Sequence, residues 1–202
     1  MNLFRKIFKA KAQKQDENSD TNQDNKYLPK TNDPEDEVFT INFNNNGGKF
    51  LYCENMDEIL DCLNQILEEN QWQNKQALIF NKTLEKQFQN IPWEVTNDPN
   101  KGHVLFTTCE FLIASNGSIL ISSNQIAEKK LPELPANFIV FASTSQIVRT
   151  IGEGLKGIKT KNRKKIPSNI TTIKHFKIED EKNFMSYGSS AKNLYLLLLE
   201  DL

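Results

Sequence analysis

The chain has 202 residues, enough for one domain of about 150 residues and a tail. Lysine and arginine number 25 against 26 aspartates and glutamates, a balance that argues against a dedicated nucleic-acid binder, which carries a basic excess. Three scattered cysteines (Cys53, Cys62 and Cys109) and two histidines (His103 and His175) argue against a disulfide framework, an iron–sulfur cluster or a metal centre, and with no run of about 18 apolar residues to span a membrane the chain reads as cytoplasmic with reduced thiols.

In Met1 to Lys14, Leu3, Phe4, Ile7 and Phe8 share one helical face, with Arg5, Lys6, Lys9, Lys11 and Lys14 opposite. Two readings fit: a frayed basic terminus, and a segment in peripheral contact with an anionic membrane or a partner. Gln15 to Glu37 is too polar to offset its own ordering entropy and reads as a disordered linker that ends in the acidic run Asp33 to Glu37. Residues 1–37 are therefore set apart from a folded domain over residues 38–202.

Val38 to Phe43 alternates apolar and polar residues and predicts a strand, with a second at Lys49 to Cys53. Asn55 and Glu58 form a capping-box pattern, followed by Ile59, Leu60, Leu63, Ile66 and Leu67 at helical spacing. Ala77 to Phe80 predicts a short strand, Thr83 to Phe88 a helix and His103 to Thr107 a strand. Cys109 to Ser123 reads as two apolar runs around Asn116-Gly117, a hairpin signal for a two-residue turn. Lys129 to Pro135 reads as a loop. Phe138 to Ala142 reads as a strand covered on both faces, and Ile147, Val148, Ile151 and Leu155 as a helix stopped near Gly154 and Gly157. Asn169 to Ile173 and the very apolar Leu194 to Leu199 complete the strands. The alternation of strands and helices predicts a three-layer α/β/α domain with a mainly parallel sheet, the hairpin being an antiparallel excursion on it.

Chemistry is sparse. The glycines of Gly152 to Gly157 follow a predicted helix, the wrong order for a phosphate loop, which needs a strand before it. Lys156 to Lys165 holds six cations without aromatics and reads as a solvated loop or as a docking surface for an acidic partner or anionic ligand. Neither histidine lies in a motif, and no catalytic or metal-ligating residue is assigned. The expected ligand-binding residues are Asn116, Gly117 and Ser118 in the hairpin, Ser122, Ser123 and Asn124 beyond it, and Gly188, Ser189 and Ser190 before the last strand, where a glycine and two hydroxyls can offer donors to an anion.

The stretches LIASNGSILISSNQ and LPELPANFIVFASTSQIV resemble the core of the LUD-domain proteins, the lactate-utilisation family. The matching positions are Ile113, Ala114, Gly117, Ser118 and Ile119, then Leu134-Pro135, then Phe138 to Val148. The resemblance implies a layered α/β/α sandwich similar to the sugar-phosphate isomerase and coenzyme A transferase group. It also implies a cytoplasmic accessory subunit in L-lactate or organic-acid oxidation, without clusters of its own, beside partner subunits carrying iron–sulfur clusters. The chain departs from the family near its end. Asp180 stands roughly where the family's acid falls, and Ser189-Ser190-Ala191 replaces a His-Gly-Pro turn, which implies an altered ligand site. The alternative reading is a module that binds a small anionic metabolite without catalysis, tethered by its N-terminal segment. An active transferase or isomerase ranks below both, because no glutamate stands in a recognisable nucleophile context.

Overall fold

A computed structural model describes residues 34–176 and 192–201. The amphipathic start, the linker up to residue 33, Asp180 and Gly188 to Ser190 lie outside the described residues. The frame is a six-stranded, wholly parallel sheet. Its order is β1 (Lys49–Cys53), β10 (Asn193–Leu199), β7 (Asn137–Ser143), β4 (Val104–Thr108), β2 (Gln76–Leu78) and β3 (Glu94–Thr96). The central strands read as unbroken apolar runs because both their faces are covered. Along β10, Leu194, Leu196 and Leu198 point into one core while Tyr195 and Leu197 point into the other. Phe138 of β7 lies between Leu194 and Leu105 of its two neighbours.

One face carries α2 (Met56–Glu69) and α3 (Lys82–Gln87). Ile59, Leu63, Ile66 and Leu67 are the buried stripe of α2. Asn55 caps it, accepting the Glu58 N–H at 3.0 Å, and Glu58 accepts in return from the Glu54 N–H at 2.9 Å.

The other face carries α1 (Glu35–Asn45) and a second sheet of four strands, ordered β8 (Ile147–Val148), β5 (Phe111–Ile113), β6 (Ser118–Ile121) and β9 (Thr171–Ile173). Strand alternation divides this small sheet between two cores. Leu112, Ile119 and Ile121 face the large sheet, while Phe111, Ile113 and Leu120 face Ile158 of α5 (Ile151–Lys161), which backs the small sheet from outside. The one-turn α4 (Ser123–Ile126) follows β6.

Several elements differ from the sequence reading. Val38 to Phe43 is not a strand but part of α1. Phe39 and Phe43, four residues apart, are both buried, and their rings stack at 5.3 Å. The acidic run Glu35 to Glu37 forms the first turn of that helix, where the peptide dipoles favour negative charge. Ile147 and Val148 are not helical. They pair with Leu112 and Ile113, and the helix starts only at Ile151, capped by Thr150. Gly154 and Gly157 therefore sit inside α5 instead of stopping it, and Lys156 to Lys161 are helical rather than in a loop. The hairpin belongs to the small sheet and not to the large one. Its strands pair at Ile113 and Ser118, so the turn spans four residues, with the Gly117 N–H donating to the Ile113 carbonyl at 2.9 Å.

Candidate functional site

In open parallel sheets, ligands bind outside the carboxyl ends of the strands. Here the chain leaves the large sheet twice at that edge, side by side. After β4 it passes through Cys109 and Glu110 into β5, and after β7 it passes through the 3-10 turn Thr144–Gln146 into β8. Gln146 joins the two crossings. Its Nε2 donates to the Cys109 carbonyl at 2.8 Å and the Glu110 carbonyl at 3.3 Å, and its Oε1 accepts the Ser143 N–H at 2.9 Å.

The next strand of the large sheet, β10, ends at the same edge. Just beyond it, Asp201 accepts the Thr144 hydroxyl at 2.9 Å, the Ser145 N–H at 2.8 Å and the Ser145 hydroxyl at 2.7 Å. Slight desolvation pushes this exposed carboxyl up, but the hydrogen bonds from Ser145, Ser143 and Thr144 outweigh it and bring it down to about 2. Ser143 Oγ lies 3.1 Å from Ser145 Oγ, so two hydroxyls sit together above the middle of the sheet.

Glu110 is the second anchor. It is only 7% exposed. Its Oε1 accepts the Ser122 hydroxyl at 2.6 Å and the Asn124 side-chain amide at 2.9 Å. Among the described residues no lysine, arginine or histidine forms an ion pair with it. A buried carboxylate held only by neutral donors, at a strand's carboxyl end, is a group able to accept a ligand's hydroxyl or amide. The neighbouring Cys109 thiol is pushed far up by burial, with Glu110 adding to the effect, which favours its protonated form.

The expected ligand residues fall into separate places. Ser122 and Asn124 meet at Glu110. Ser122 is fully buried and also caps α4, accepting the Asn124 N–H at 3.1 Å. Ser123 donates its N–H to the Ser168 carbonyl at 2.9 Å. Asn116, Gly117 and Ser118 lie at the opposite end of β6, roughly 13 Å away along the strand. There they are clamped to the end of α1: the Asn46 side-chain amide donates to the carbonyls of Asn116 at 2.7 Å and Gly117 at 3.2 Å. Ser118 Oγ donates to Asn116 Oδ1 at 2.7 Å. Gly188, Ser189 and Ser190 lie outside the described residues.

Sequence reasoning missed Glu110, Gln146 and Asp201. The only signal for Glu110 was an acid interrupting the apolar passage from Val104 to Ile113, which a soluble fold tolerates only with partners supplied elsewhere.

The histidines and cysteines do not join this edge. His103 precedes β4 at its amino end, its ring 5.8 Å from that of Trp72, so it stands roughly 20 Å along the chain direction from Glu110. The His175 carbonyl accepts the N–H of Lys192, which immediately precedes β10, again at the amino edge. The Cys53 and Cys62 sulfurs lie 3.7 Å apart in the core under α2, whereas Cys109 is buried in the core on the other face. Burial, reinforced by Cys62 and Glu58, pushes the Cys53 thiol far up. The three thiols are thus divided between the two cores.

The crystal structure of a DUF162 family protein from Deinococcus radiodurans superimposes on this chain with a TM-score of 0.57. The identity is 12%, covering 83% of this chain and 99% of the other. At that identity the likeness shows a shared fold. No curated protein matches the chain. The LUD domain profile matches residues 37–199, a span that includes all ten strands of the described residues, the crossings at Glu110 and Gln146 and the hairpin clamped to α1. With the profile covering most of its length, the chain belongs to the LUD-domain family.

Proposed function

We propose that this LUD-domain protein is a cluster-free accessory subunit of a system that oxidises an organic acid, L-lactate in the first instance, beside partner subunits that carry the iron–sulfur clusters. The observation that carries this reading is the separation of functional groups. The carboxyl edge offers hydroxyls and carboxylates from Ser143, Ser145, Glu110 and Asp201, which bind and orient. The histidines stand at the amino edge, and the thiols of Cys53 and Cys109 are buried and held protonated. Such an arrangement supports positioning a small hydroxylated molecule or a partner's polar surface.

Growth on L-lactate as sole carbon source, compared between wild type and a deletion strain, tests the reading, together with affinity purification of the tagged full chain. Lost growth, restored by the wild-type gene, and co-purification of an iron–sulfur protein are the expected results. Undiminished growth with no such partner would sink it.

A further inference from the structure

The described residues expose four large apolar side chains: Val95, Ile151, Leu155 and Ile166, the last three at 36%, 44% and 52%. Those three lie on α5 and the segment directly after it. The same stretch carries Lys156, Lys159, Lys161, Arg163, Lys164 and Lys165, all exposed, against a single carboxylate, Glu153. That carboxylate is held by the helix start, accepting the N–H groups of Arg149 at 2.9 Å and Thr150 at 3.2 Å. Lys161 lies back over the Phe111 ring, 4.5 Å from its centroid. The exposed part of α5 is thus cationic, with Glu153 as its single carboxylate, and Ile151 and Leu155 form an apolar margin beside the buried Ile158.

This surface is rigidly presented. Ile158 is fully buried against the small sheet. Gly154 and Gly157 bring the helix so close that a Cβ would lie 3.0 Å from Leu120 and 2.4 Å from Phe111. Ile151 and Leu155, four residues apart, share one side of the helix, with Lys156 and Lys159 following them round toward solvent.

We infer that the outer face of α5, with the segment to Ile166, is a peripheral docking surface for an anionic lipid bilayer. Anionic headgroups neutralise the lysines, and Ile151, Leu155 and Ile166 enter the headgroup–acyl boundary, so one partner satisfies both chemistries. An acidic protein would meet the charges but would leave the dispersed apolar side chains uncovered. A nucleic acid finds no aromatic side chain between residues 151 and 166 on which to stack a base. The chain's first fourteen residues, outside the described ones, repeat the composition: Leu3, Phe4, Ile7 and Phe8 with five cations. A single such surface binds a membrane weakly and reversibly.

The test is sedimentation of the full chain with vesicles of phosphatidylcholine alone and of phosphatidylcholine mixed with phosphatidylglycerol, at low and high salt. Two exposed double variants are compared, Lys156→Gln with Lys159→Gln and Ile151→Ser with Leu155→Ser, their folds checked by circular dichroism and thermal melting. A third chain lacks residues 1–14. Binding to the anionic vesicles only, weakened by salt and reduced about tenfold by each double variant, is the expected result. The chain without residues 1–14 binds more weakly yet keeps the dependence on α5. Equal binding to both vesicle types, or binding untouched by either double variant, overturns the inference. So does retention on a polyglutamate column without vesicle binding, which would point to an acidic polypeptide instead.

Discussion

Gln146 and Cys109 stand 37 residues apart in sequence, and the side-chain amide of the first donates to the carbonyl of the second at 2.8 Å. That bond fixes the two places where the chain crosses from the large sheet to the small one. The neutral variant Gln146→Leu leaves the Cys109 carbonyl and the Ser143 N–H without their partner. It should destabilise the fold by about 1–3 kcal/mol, read from the midpoint of urea unfolding. An unchanged midpoint would show that water replaces the bond and that the crossings hold each other by packing alone.

Glu110 and Ser122 act as one unit. Ser122→Ala removes both the cap of α4 and a donor to a buried carboxylate, at a cost of about 1–2 kcal/mol. Combined with Glu110→Leu, the loss should be smaller than the sum of the two single losses, because the second change removes the group the first left unpaired. A double-mutant cycle by chemical denaturation measures this coupling, and strict additivity would dissociate the pair.

Gly117 is needed where it stands. Its φ is +64°, and a Cβ there would lie 2.3 Å from the Asn42 carbonyl carbon in α1. Gly117→Ala should destabilise by about 1–3 kcal/mol, and amide exchange in α1 should accelerate more than in α2.

The glycines of α5 should respond in opposite directions. At Gly157 a Cβ would lie 2.4 Å from the Phe111 ring, so Gly157→Ala should cost about 1–3 kcal/mol by overpacking. At Gly152 the nearest atom would be Thr150 Oγ1 at 3.8 Å, an ordinary contact, so Gly152→Ala should stabilise by about 0.5 kcal/mol through reduced unfolded-state entropy. Thermal melting of the two variants settles the pair.

Asp201 predicts a pH dependence. Its folded value, about 2, lies below the ordinary 3.8, so its ionised form stabilises the folded state. The contribution is fully present above pH 3.8 and is lost as pH falls toward 2. Asp201→Asn should be less stable than wild type at neutral pH, and the difference should close in that acidic window. A difference independent of pH would remove the carboxylate from the account.

Much of the frame was legible because its burial is written along single segments. β7 and β10 are covered on both faces, so they appear as apolar runs without needing knowledge of their neighbours. The helix α2 announces itself through its Asn55 cap and its spacing of Ile59, Leu63, Ile66 and Leu67. Val38 to Phe43 misled because its apolar positions satisfy two periods at once. Val38, Phe39 and Phe43 suit a helix as well as Phe39, Ile41 and Phe43 suit a strand, and the choice fell to what Phe39 and Phe43 meet on the large sheet. Ile147 and Val148 continued the helical spacing of Ile151 and Leu155 by coincidence, and pairing with β5 overrode it.

From its residues alone the chain determines an α/β domain, the two apolar hairpin strands and the resemblance that the profile over residues 37–199 bears out. Each of these depends on local periodicity and local caps, which any stretch carries with it. Only the tertiary structure decided that Asn116 to Ser118 brace α1, that Ser122 and Asn124 belong to Glu110, and that Gly154 and Gly157 bring a helix close to Phe111. The physical reason is common to all three. A buried polar group or a close approach is stable only through partners from another element, and which element arrives is set by the order and register of strands rather than by the residues on either side.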